Sequence, residues 1–251
     1  MLAPCTPTAP GRPAARSHLA LGAALLLGAG SVLAGRPLAT DDASTADVGE
    51  CQVEAWAERS RSQADAAGVL APACGVRDGW ELGGEWVRFQ AGQALRSAAS
   101  LGLKWVPAGA ALDTALGPVA LGLKASLGYE QSAGQGWRHT SADLLALATW
   151  RPLPTLALHA NLGPQHHAHE GRHSSHLRLA VAWTPHPAAL LFAEAQAQDL
   201  PGADGANVKA LGGRWWLLPE RLGLDLSASR AAAAGAVTRW SVGLGWYGIG
   251  R

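Results

Sequence analysis

The chain has 251 residues, 48% hydrophobic and 16% charged, with a net charge of +1 and a mean hydropathy of +0.06. That near-neutral balance excludes recognition of nucleic acid through a basic surface. Beyond the N-terminus no segment approaches the roughly 18 uninterrupted apolar residues of a membrane-spanning helix, which excludes a helical membrane protein.

At the N-terminus Arg12, Arg16 and His18 precede an apolar run from Leu19 to Leu33, and Val32-Leu33-Ala34 offers small residues for cleavage before Gly35. This is the pattern of a secretory signal peptide over 1–34. The run, about 15 residues long and broken by glycines, is too short for a transmembrane helix. Cys5 lies ahead of it and goes with the cleaved piece. Residues 35–48 are then expected as a periplasmic N-terminal segment. Its acidic pair Asp41-Asp42 can fold back into the mouth of whatever follows, although nothing in the sequence demands it.

From residue 49 onward the period is two. In 118–130, Val119, Leu121, Leu123, Leu127 and Tyr129 alternate with Gly122, Lys124, Ser126, Gly128 and Glu130. The same alternation runs through 154–163, 175–184, 221–230 and 237–247, as no helix would tolerate. About twelve strands can be laid out, least securely around 68–77 and 107–117. Trp105, Trp150, Trp183, Trp215 and Trp246 stand at the ends of alternating stretches, and four of those stretches meet a proline within a few residues. Aromatic girdles at the membrane boundary, followed by turns, are the mark of a transmembrane β-barrel. The expectation is an all-β, antiparallel, up-and-down barrel over 49–251. Short turns at 77–79, 151–154, 185–187 and 219–220 alternate with longer polar stretches at 61–67, 131–140, 164–174, 199–206 and 231–236. Short turns face the periplasm in this class, so the Trp row marks that rim.

Cys51 and Cys74 are the only cysteines left after processing. If 51–60 and 68–77 form the first hairpin, the two fall opposite one another on one face, and an oxidising periplasm would join them. The alternative is two free thiols.

The stretch Arg36-Pro-Leu-Ala-Thr-Asp-Asp-Ala43, with Gly49 and Gln52-Val-Glu54, resembles the mature start of the outer-membrane transporter family linked to phenol-degradation meta-pathways. Gly75-Val-Arg-Asp-Gly-Trp-Glu-Leu82 is similar to the hairpin that follows in that family. The resemblance covers 36–58 and 75–83, and implies a transport role. One departure is the tail Gly248-Ile-Gly-Arg251, where a barrel strand usually ends the chain on an aromatic residue read by the barrel-assembly machinery.

The inward face is expected to carry Glu54, Glu81, Glu85, Lys124, Arg178, Arg214, Asp225 and Arg239, with both signs mixed. A barrel of this size is narrower than the porins that hold open water channels, so charged side chains can span it as ion-pair ladders. The expected partners are outer-membrane lipid, the assembly machinery and a small-molecule solute. The expected function is a channel or transporter for passive uptake of small solutes, aromatic or hydrophobic ones included. The alternative is a structural barrel without an open pore. His166, His167, His169 and His173 lie in the expected outer loop beside Glu170 and could capture a transition metal, but their spacing matches no closed zinc motif. A solvated polar loop is the plainer reading, and no cofactor is expected. Ser174, Ser175 and His176 suggest a barrel lipid hydrolase only by adjacency, with no third orienting residue.

Overall fold

The computed structural model describes residues 38–60, 66–91, 94–132, 134–199, 207–233 and 235–250. The expected signal peptide, with Cys5 and the cleavage site, lies outside them. The described chain forms β1 (Cys51–Ser60), β2 (Ala66–Arg77), β3 (Trp80–Ala91), β4 (Ala94–Trp105), β5 (Leu112–Thr114), β6 (Gly117–Ser132) and β7 (Arg138–Leu153). There follow β8 (Leu156–His167), β9 (Arg172–His186), β10 (Ala189–Gln198), β11 (Val208–Leu218), β12 (Leu222–Ala231) and β13 (Arg239–Ile249). Each long strand pairs antiparallel with its sequence neighbours, β1 pairs with β13, and β4 pairs with β6 across the short β5. The result is a closed ring of 12 strands. Closure removes the sheet edges that would otherwise present unpaired backbone to lipid.

Alternation decides which way each side chain points. On β13, Trp240, Val242, Leu244 and Trp246 are exposed, while Ser241, Gly243, Gly245 and Tyr247 between them are buried. The outer wall carries Leu101, Leu103, Leu121, Leu123, Leu127, Leu177, Leu179, Val181, Leu224 and Leu226, all exposed. An apolar wall of that extent is what a lipid bilayer covers.

The connections β2–β3, β7–β8, β9–β10 and β11–β12 are short, and the chain enters β1 and leaves β13 at the same rim. The long connection at 106–116 also belongs there. It makes one 3₁₀ turn at Ala108–Ala110, and then β5 pairs back on the start of β6 as a small hairpin. The first hairpin has the expected register: Cys51 lies opposite Cys74, and the two are disulfide-bonded.

Two stretches expected as outer loops are in good part strand. The expected 164–174 loop shrinks to 168–171, because β8 continues through His167 and β9 begins at Arg172. Within 131–140, β6 continues to Ser132 and β7 starts at Arg138. The reason is length. β6, β7 and β9 have 16, 16 and 15 residues, whereas about 9–11 span the hydrocarbon. Beyond the bilayer both faces of a strand meet water, alternation fades, and polar sequence reads as loop.

Candidate functional site

A barrel bore must be filled or wet, and here a length of non-strand chain lies in it. Residues 38–48 make no ladder of their own apart from a single parallel bridge, Val48 to Gly75. Backbone buried without a ladder needs other hydrogen-bond partners, and side chains of the barrel wall supply them. Glu194 on β10 accepts from the amides of Ala39 and Thr40 at 2.9 and 3.1 Å and from the Thr40 hydroxyl at 3.1 Å. Asn161 on β8 accepts from the Asp41 amide and donates to the Asp41 carbonyl, both at 2.8 Å. Thr149 on β7 accepts from the Ala43 amide at 2.8 Å, and Glu81 on β3 accepts from the Ala46 amide at 2.9 Å. Arg178 on β9 donates to the Ala39 carbonyl at 3.1 Å, and Lys104 on β4 to the Ser44 carbonyl at 3.2 Å.

Charge and packing act in the same sense. The Lys124 ammonium lies 2.9 Å from both oxygens of Asp41. Lys104 sits 3.6 Å from Asp42, 3.7 Å from Asp41 and 3.5 Å from Glu81. Burial alone would raise the Asp41 carboxyl. Lys124 and Lys104 outweigh that and hold it at about 2. Leu38 packs on inward-facing Ala157, Ala180, Ala182, Leu190 and Phe192, and Ala43 packs on Leu145 and Leu147. These apolar residues of β7–β10 point into the bore because the segment covers them.

The root of the segment is fixed beside the disulfide. Gly75, next to Cys74, accepts a hydrogen bond from the Gly49 amide at 2.9 Å and donates one to the Glu50 carbonyl at 2.9 Å. A Cβ at Gly75 would stand 2.2 Å from the Asp47 carbonyl oxygen and 2.3 Å from that of Ala46. Only glycine lets the segment pass so close to the wall.

Across the bore, a second group fills the arc of β11, β12, β13 and β1. Arg214 makes a bidentate pair with Asp225 at 2.7 and 2.8 Å and lies 3.5 Å from Glu54. The Tyr247 hydroxyl donates to Glu54, and the Arg214 guanidinium stands 4.9 Å from the Tyr247 ring and 5.0 Å from that of Trp216. Arg214 and Asp225 are 3% and 2% exposed, so this is a sealed cluster and not a wet lining.

Of the inward set, Glu54, Glu81, Arg214 and Asp225 are buried and Glu85, Lys124 and Arg178 half-buried. Arg239 is exposed near the far end, 3.8 Å from Glu58. Residues the sequence reading did not single out as holding the segment are Thr149, Asn161 and Glu194; the available signal was Leu144-Leu145-Ala-Leu147, apolar on both faces. Trp105, Trp183, Trp215 and Trp246 are exposed at the rim of the short turns, with Trp105 stacked on Trp80 at 5.6 Å. Trp150, at the same rim, is half-buried and donates to the Leu116 carbonyl at 3.0 Å.

The histidines do not share a loop. His166 and His173 are cross-strand partners on β8 and β9, their rings 4.6 Å apart. His167 lies 2.9 Å from Ser174 and 3.0 Å from Gln198, and His169 is in the turn. Among the described residues no group of three or more His, Cys, Asp or Glu is arranged to hold a metal ion. Ser174 is 5% exposed and pairs with His167 and Gln198 rather than standing with His176 at a lipid-facing rim.

A family model described as "Uncharacterised conserved protein UCP029691" matches residues 23–245. No curated protein matches the chain in sequence. Among solved structures the chain is similar to the KdgM porin, at a TM-score of 0.58 and 10% identity over 78% of this chain and 98% of that one. It is similar to the NanC porin at a TM-score of 0.55 and 8% identity, with the same coverage. It is likewise similar to the KdgM porin in complex with disordered oligogalacturonate, at a TM-score of 0.54 and 11% identity over 78% of this chain and 98% of that one. These likenesses are of fold. They agree with an outer-membrane barrel and lend nothing to the link with phenol-degradation pathways. With its closed ring and apolar wall, the protein is a barrel of the outer membrane of a Gram-negative bacterium.

Proposed function

We propose that this chain, which belongs to the UCP029691 family of uncharacterised conserved proteins, is an outer-membrane channel for passive uptake of small solutes, narrowed from the periplasmic side by its own residues 38–48. The observation that carries the reading is how the segment is held. Hydrogen bonds and ion pairs from separate wall side chains, Glu194, Asn161, Thr149, Lys124 and Lys104, fasten an extended strip of chain. A permanent plug would be a folded domain with its own core, whereas a strip fastened by wall side chains can slide or leave without unfolding the barrel. Mixed charge along the wall suits small solutes of low net charge. The KdgM porin in complex with disordered oligogalacturonate supports a solute path through this architecture.

A structural barrel without a pore is the second reading, favoured by the sealed Arg214–Asp225–Glu54–Tyr247 cluster. Conductance in planar bilayers separates the two. The whole mature protein should give small, flickering steps, and a variant lacking 38–47 should give larger, steady ones. A heat-modifiable, correctly inserted deletion variant with no conductance would establish the structural barrel instead.

A further inference from the structure

Near the ends of the strands away from the short-turn rim, four basic side chains point outward. They are Arg59 on β1, Arg88 on β3, Lys209 on β11 and Arg230 on β12, all exposed. Each continues the lipid-facing row of its strand. Arg59 follows exposed Ala55 and Ala57, Arg88 follows Trp86, Lys209 precedes Leu211, and Arg230 is in phase with Leu224 and Leu226. The four lie in one arc. Lys209 and Arg230 are directly opposed across β11 and β12. Arg59 is opposite Trp240, which is opposite Ala228, two residues from Arg230. Arg88 is opposite Gly68, two residues from Ala66, which is the β2 partner of Arg59.

Height places this arc. Arg88 is eight residues along β3 from Trp80, and Lys209 six along β11 from Trp215. At a rise of about 3.3 Å per residue and a tilt of about 40°, that is roughly 15–20 Å above the Trp rim. The apolar band of such barrels is about 25 Å tall, so long basic side chains starting there reach its outer boundary.

Charge balance is the second observation. Like charges directly opposed on a sheet repel, yet Lys209 faces Arg230, and none of the four basic groups has an acidic partner among the described residues. Outward acids of the far half lie elsewhere: Asp199 follows β10 and accepts from the Ser175 amide, and Glu170 is in the β8–β9 turn beside Arg172. Glu58 and Arg239, at the same height, turn into the bore. Among the described residues the arc is therefore short of anions, and it sits where the outer leaflet presents them.

We propose that Arg59, Arg88, Lys209 and Arg230, with Trp240 between them, form a binding site for the phosphate groups of an outer-leaflet glycolipid. Arginine forks match phosphate oxygens in pairs, and the Leu and Val residues beneath give the acyl chains an apolar bed. The site lies on the outer wall and is independent of whether the bore conducts.

The test is native mass spectrometry of the folded protein in mild detergent, titrated with diphosphorylated lipid A, with its enzymatically dephosphorylated form and with inorganic phosphate. Diphosphorylated lipid A should bind at least tenfold more tightly than the dephosphorylated form, and inorganic phosphate at millimolar concentration should not displace it. The variant combining Arg59→Gln, Arg88→Gln, Lys209→Gln and Arg230→Gln, checked for folding by its heat shift on a gel, should lose that preference. Equal binding of the two lipids by the unmodified protein would overturn the proposal. So would displacement by inorganic phosphate, which would mark a free-anion site, or an undiminished preference in the folded variant.

Discussion

Asp41 is where charge and burial meet most sharply. Its carboxyl, held at about 2 by Lys124 and Lys104 against the cost of burial, would return to near 3.9 if the segment left the bore. A carboxyl depressed in the bound state adds stability that is present above about pH 4 and lost as pH falls toward 2. The difference is on the order of 2 kcal/mol. Opening events in bilayers should therefore become more frequent as pH falls from 4 to 2, and Asp41→Asn should open often at every pH and flatten that dependence. Identical pH profiles for both proteins would show that Asp41 does not hold the segment. Gly75 makes a steric counterpart. Gly75→Ala puts a methyl about 2 Å from two carbonyl oxygens of the segment, so the segment should shift and conductance rise while the barrel keeps its heat-modifiable form. The charges of the wall were legible in the sequence, since inward Lys124, Arg178, Glu54 and Asp225 follow from parity. Their partners were not, because Asp41 meets Lys124 across 83 positions of chain and no local pattern records such a contact.

Strands and segments differ in how much of themselves they show. A half-buried strand writes its period into the sequence, and pairing 51–60 with 68–77 as a hairpin already puts Cys51 opposite Cys74, the register found for β1 on β2. Their loop of about 22 residues gives a disulfide stabilisation on the order of 3 kcal/mol in the chain-entropy description. Thiol labelling of denatured, unreduced mature protein should find no free cysteine. Reduction should loosen the root of the 38–48 segment before the barrel, seen as faster proteolysis near Val48; equal rates with and without reductant would detach the disulfide from that role. The segment itself was legible as acidic, polar and able to fold back into the mouth, but not in its depth or its partners. Its place in the bore was hinted at by inward Leu145, Leu147, Leu190 and Phe192, apolar where a wet lumen would want polar groups. The 164–174 stretch hides its strands for the opposite reason: outside the bilayer a strand has no dry face, and His166, His167 and His173 carry no period.

For the molecule as a whole, the proposed lipid site and the expected girdle together make the apolar wall between the Trp rim and the basic arc the membrane band. Trp105, Trp183, Trp215 and Trp246 should be quenched by brominated lipid and not by aqueous iodide. Lys in their place should cost less than the roughly 2–4 kcal/mol expected at the midplane, with Tyr or Phe tolerated; quenching by iodide alone would remove the girdle. Inside that wall, residues 38–48 lie in the bore. Ala43 and Thr149 form one of the segment's buried contacts, amide to hydroxyl at 2.8 Å. In the variant with Ala43→Cys and Thr149→Cys, mild oxidation of intact outer membranes should join the peptides carrying 43 and 149 by a disulfide, with the Cys51–Cys74 bond retained. An unlinked pair, with the thiol at 43 freely labelled by a reagent confined to the periplasmic side, would contradict the occupied bore.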